Sequence, residues 1–182
     1  MIKAIAKRIE IEAFKDVCLV ILAAFFIGMF AKIYIPLFFT PVPLILQNSI
    51  AITYGSFLGS KKGSISVLLF ILLGIFGLPF FSNGDFGMQT ILSVRGGYIL
   101  SYALACFIVG KLLEKREDSS QKYIGFTVLL GHLTVLFGGF LWFSFFVGLK
   151  KAFLLGVVPF IATDVLKSIV ITKLITFKNK YF

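Results

Sequence analysis

Asp164 and Lys167 are the residues best placed to do chemistry in this chain of 182 residues. Both fall inside the long apolar stretch that begins at Phe153, and Asp164 is the one acidic residue within any of the hydrophobic segments. A charge at membrane depth costs about 2.5–3.5 kcal/mol on insertion scales, so it persists there when it is paired or serves a function. Three positions apart, the two share a helix face about one turn from each other. An acceptor and a cation facing one cavity suit a ligand with both N–H donors and a carboxylate. The plainer alternative is an internal ion pair that only ties two helices together.

Further polar groups gather at a similar depth or just outside it. The stretch LPFFSNGDFGMQTILSVRGGY holds Asn83, Asp85, Gln89 and Arg95 among Gly84, Gly87, Gly96 and Gly97. It is long for a connection between helices, and long ordered loops often carry function. Arg95 has a permanent charge and a fork that matches a carboxylate bidentately; the competing reading has it snorkel to head groups. Gln47 lies a few residues into its own apolar segment. Tyr98, Phe80 and Phe160 could supply aromatic walls, although each alone reads as packing. The convergence predicts one externally facing pocket. Residues 36–43, PLFFTPVP, are apolar where a loop in water would be polar. They read as a cap over the bundle mouth, or as a loop with its phenylalanines in lipid.

The elements that must position these groups follow from composition. The chain is 59% hydrophobic with a mean hydropathy of +1.01, against about 45–50% apolar in soluble domains. Its apolar runs suit helices that cross a bilayer core of about 30 Å. Six helices are expected, over residues 17–35, 44–58, 65–81, 97–113, 124–146 and 153–175, in a single domain 1–182. A short basic segment, 1–16, precedes them and lacks the cleavage pattern of a signal peptide, so it is expected to be retained. Thirteen Lys and Arg residues fall on one side of these spans and four on the other. The positive-inside rule then puts both termini in the cytoplasm. The net charge of +10 is thereby a topology signal and an attraction to anionic lipid, not a nucleic-acid footprint.

Other chemistries find little support. His132 is the sole histidine and has no ligand cluster around it, which argues against a metal site. Ser144 shares its span without stacking spacing, so a nucleophile–base pair is missing. The stretch GSFLGSKKG (residues 55–63) lacks both the four-residue gap and the hydroxyl after lysine of a phosphate loop. Cys18 and Cys106 read as small apolar residues, and the 23 phenylalanines receive no cofactor role. No enzyme activity and no cofactor are expected. No internal repeat is visible, which counts against a secondary carrier working alone.

Four motifs carry a family resemblance: Pro41-Val-Pro-Leu-Ile-Leu-Gln47, Gly74-Ile-Phe-Gly-Leu-Pro-Phe80, Arg95-Gly-Gly-Tyr98, and the run from Pro159 to Lys167. In this order they resemble the BioY family, the biotin-specific substrate-binding (S) components of energy-coupling factor (ECF) transporters. Ile45 stands where the family has threonine, Val94 and Arg95 where it has Pro-Thr, and Thr163 where it has glycine. The resemblance implies an all-α, six-transmembrane-helix S-component bundle in a prokaryotic plasma membrane, with biotin as ligand. Asp164, Asn83 and Lys167 would serve the ureido group, Arg95 the carboxylate, Tyr98 the bicyclic ring, and Gln47 would join the pocket. It further implies a transmembrane coupling protein and two cytosolic ATPases as partners. Ala24-x3-Gly28 on the first span is the candidate contact with the coupling protein, close packing inside the bundle being the alternative. A different vitamin remains an option within the same class.

Overall fold

The computed structural model describes residues 2–116 and 120–181. Helix α1 (Ile2–Met29) includes the basic N-terminal segment and continues into the first apolar run without a break. It tightens into a 3₁₀ turn over Phe30–Lys32 and stops there, short of the expected end at residue 35. Pro36 lies just beyond, and a proline disfavours helical geometry in the residue before it.

The PLFFTPVP segment, expected as a loop that caps the bundle mouth, lies in a β-hairpin. Strands β1 (Tyr34–Leu37) and β2 (Thr40–Ile45) pair antiparallel, with Tyr34 opposite Ile45, Ile35 opposite Leu44 and Leu37 opposite Thr40. Its tip carries Phe38 and Phe39 in edge-to-face contact. Pro36, Pro41 and Pro43 lack the N–H, and their rings clash with the preceding turn, so a helix interior excludes them while an exposed edge strand tolerates them.

Helix α2 (Gln47–Phe57) follows, then α3 (Gly59–Ile75). Gly59 takes φ +80, the left-handed region open to glycine, and so separates the two helices. With 11 residues, α2 is about 17 Å long, well short of the ~30 Å hydrocarbon core. The outer loop contains a 3₁₀ turn, Ser82–Gly84, and the short α4 (Met88–Leu92). Helices α5 (Gly96–Glu114) and α6 (Gln121–Val147) match the expected fourth and fifth spans closely.

The expected sixth span is two helices, α7 (Leu149–Gly156) and α8 (Val158–Tyr181), bent by 40°. Pro159 explains the break, since it has no N–H for the preceding turn and is tolerated in the first turn of a new helix. Among the described residues, α1, α5 and α6 are long and apolar enough to cross a membrane, and the bent pair makes a fourth. Of the six expected spans, α2 with 11 residues and α3 with 17 fall short of that length.

Helix α5 packs on α2, α3 and α6; α1 lies on α3, and α8 on α6. Phe70, Phe81, Tyr102, Val109 and Phe143 are fully buried between them, while Phe137, Phe145 and Leu166 point outward. Lipid is as apolar as these outer residues, so helix association rests on close packing and small residues. Gly97 shows this: a Cβ there would stand 2.1 Å from the Cβ of Trp142 on α6.

Ala24 and Gly28 follow the same logic, in line with close packing inside the bundle, the alternative to a coupling-protein contact. Ala24 is completely buried, and a Cβ on Gly28 would come within 2.5 Å of the Phe80 ring. Their small side chains seat α1 against its own bundle and offer no exposed face.

Candidate functional site

Asp164 and Lys167 lie in the first half of α8, after the bend, and are held as an ion pair. The Lys167 Nζ donates to Asp164 Oδ1 at 3.1 Å and reaches Asn48 Oδ1 of α2 at 3.4 Å. The Asp164 side chain is 4% exposed and that of Lys167 16%, so water screens the pair little. Among the described residues, no hydrogen bond reaches Asp164 Oδ2.

Beneath this pair runs a polar chain across three helices. Asn48 Oδ1 accepts the Ser49 backbone N–H at 2.9 Å, and Ser49 Oγ stands 3.1 Å from His132 Nε2 on α6. On the other side of the ring, His132 Nδ1 is 3.0 Å from Ser168 Oγ and 3.2 Å from the Val128 carbonyl. Ser168 donates in turn to the Asp164 carbonyl at 2.7 Å. A tautomer with its hydrogen on Nδ1 satisfies every member, because Ser168 has spent its own hydrogen and Val128 can only accept. Buried polar networks fully paired in this way rigidify their surroundings.

Above the ion pair is a cavity enclosing about 540 Å³ of empty space, counted to its opening. Its charged lining residues are Asp164, Lys167 and Arg95, one net positive charge. Val42, Pro43 and Ile45 of the hairpin form part of its wall, and Phe160, Val135 and Leu136 give an apolar side.

Arg95 precedes α5 and is drawn toward the outer loop. It donates to Ser82 Oγ at 3.1 Å and is paired with Asp85. Tyr98 is locked by its own hydroxyl, which donates to the Gly156 carbonyl at the α7–α8 bend, 2.8 Å away. Its ring rests on Gly139, where a Cβ would stand 2.1 Å from ring carbons. One turn on, Tyr102 is 1% exposed, lines the cavity, and has no hydrogen-bond partner for its hydroxyl among the described residues.

The remaining two expected residues are placed differently. Gln47 lines the cavity, yet its amide nitrogen donates to the carbonyls of Ile27 (3.0 Å) and Phe80 (2.7 Å). It ties the end of α1 to the outer loop. Asn83 stands outside the cavity lining. Its Oδ1 accepts from Tyr34 at 2.6 Å in a shallower outer recess shared with Asp85 and Arg95. The 3₁₀ turn puts the neighbouring Ser82 on the cavity wall instead.

The model of the BioY family matches residues 4–181 of this sequence. The chain belongs to the BioY family. A BioY relative from Pyrococcus horikoshii, described as a probable biotin transporter, is 38% identical over 85% of this chain and 90% of its own length. The biotin transporter BioY of Thermotoga maritima is 36% identical over 77% and 81%. The crystal structure of the S-component for biotin from an ECF-type ABC transporter matches with a TM-score of 0.83. That protein is 30% identical, and the match covers 94% of both chains. The BioY helical membrane fold is thereby established for this chain.

Set in that fold, five site residues escaped the sequence reading: Asn48, Ser82, Tyr102, His132 and Ser168. Helical spacing holds a signal for two of them, since Tyr102 follows Tyr98 and Ser168 follows Asp164 by four positions. Asn48 adjoins Gln47 but points to a different neighbour. His132 has no ligand cluster near it in sequence, and only the assembled bundle reveals its two serine partners.

Proposed function

We propose that the chain is a membrane-embedded, substrate-binding subunit that captures biotin in the cavity between the hairpin, α5 and α8. What carries the reading is the Asp164–Lys167 pair, buried beside a net positive cavity in a chain whose BioY relatives are biotin transporters. Biotin offers two ureido N–H donors, a ureido carbonyl, an apolar thioether ring and one carboxylate. Asp164, with Oδ2 open, accepts from a ureido N–H. Lys167 donates to the ureido carbonyl, and Asn48 takes the neighbouring position that the family resemblance implies for Asn83. Tyr98 and Phe160 pack the bicycle. Arg95 exchanges part of its hydrogen bonding with Ser82 and Asp85 for the ligand carboxylate, a charge-assisted contact of the stronger kind.

The matching solved structure comes from an ECF-type transporter, which supports import driven by ATP hydrolysis elsewhere, through a coupling protein and two cytosolic ATPases. The site of action is the plasma membrane of a prokaryote, with the hairpin outward. Calorimetry on the purified, detergent-solubilised protein tests the central claim, with thiamin and riboflavin as comparison ligands. Stoichiometric biotin binding without ATP is expected. No biotin binding by folded protein, or tighter binding of another vitamin, overturns it.

A further inference from the structure

A second apolar opening lies between α6 and α8, lined by Lys122, Gly125, Leu129, Val165, Ile169 and Lys173 and enclosing about 750 Å³ counted to its open side. Gly125 faces Thr172 across it, so the start of α6 and the later part of α8 run side by side and bring both lysines to one end. From Lys122 to Leu129 the groove runs for about 11 Å, most of the ~15 Å of hydrocarbon in one leaflet.

Gly125 is the unusual residue here. Each of the other 16 glycines either has a φ in the left-handed region or would bring an added Cβ to within 3.0 Å of a neighbour. At Gly125 the nearest atom to such a Cβ is Thr172 Oγ1 at 3.5 Å, an ordinary contact. A glycine inside a helix costs stability relative to alanine, and neither backbone nor packing demands this one. Its effect is to deepen the groove. Lys122 and Lys173 are exposed, and neither has a carboxylate partner among the described residues. Basic pockets between membrane helices attract anionic head groups.

We propose that this groove is a binding site for an anionic phospholipid. The phosphate lies between Lys122 and Lys173, and one acyl chain runs past Gly125 toward Leu129 and Val165. The test is native mass spectrometry of the detergent-purified protein titrated with phosphatidylglycerol or phosphatidylcholine. Wild type should retain one phosphatidylglycerol with a preference of roughly tenfold or more. The Lys122→Gln, Lys173→Gln pair should abolish that preference, and the Lys122→Arg, Lys173→Arg pair should keep it. Gly125→Leu should displace the lipid while leaving both charges in place. Equal retention of the two lipids, an unchanged preference in the glutamine pair, or full retention in Gly125→Leu would each overturn the site. The lysines are exposed, so the charge variants probe it without disturbing the packed core.

Discussion

At the scale of single residues, the site depends on charges that cannot be removed one at a time. Asp164→Asn leaves Lys167 buried without its counter-charge, a change that typically costs about 3–5 kcal/mol. It also exchanges the charged acceptor of the ureido N–H for a neutral amide oxygen, and a hydrogen bond to a charged group is worth about 1.5–3 kcal/mol. Biotin affinity should therefore fall roughly 10- to 100-fold, read by calorimetry. Unchanged affinity would remove Asp164 from the site. Tyr98→Phe tests a different kind of contribution. It deletes the donor to the Gly156 carbonyl, and an unsatisfied buried acceptor costs about 1–3 kcal/mol. The thermal midpoint should drop by several degrees, with a smaller effect on affinity because the ring remains. The reverse pattern, a large affinity loss at unchanged midpoint, would mean that the hydroxyl serves the ligand directly.

Among the elements, the α5–α6 and α1–loop seams are held by absent side chains. Gly139→Ala drives a methyl group into the Tyr98 ring, and overpacking of this kind costs about 1–3 kcal/mol. Both thermal midpoint and biotin affinity should fall, since Tyr98 must move. Gly28→Leu should destabilise the isolated chain through Phe80, before any partner is present. A normal midpoint combined with failed assembly would instead restore Gly28 as a partner surface. The helices themselves were largely legible. Uninterrupted apolar runs delimit α5 and α6, and Gly96 and Gly97 announce where α5 begins. Pro159 was the visible sign that the last segment breaks, but hydrophobicity continues across it and masks the bend. The hairpin was missed because prolines at 36, 41 and 43 suggest a loop when the strand opposite is unknown. The Asn48–Ser49–His132–Ser168 chain was missed for a related reason. Its members are far apart in sequence, and no local periodicity records their meeting.

For the whole molecule, the charge count predicts that the hairpin end faces outward and the lysine-rich end faces the cytoplasm. In a Cys18→Ser background, Phe38→Cys should react with an impermeant maleimide in intact cells, and Lys178→Cys only after permeabilisation. The opposite pattern would invert the orientation. Exposure of the hairpin at that surface carries one more consequence. Along β2, Pro41 and Pro43 have no N–H, and the N–H of Val42 is already taken by the hydroxyl of Thr40, 3.3 Å away. Unpaired strand edges are the usual templates for aggregation between chains. This strand keeps few donors to offer, so crowded copies in one membrane are protected from zipping together through their hairpins.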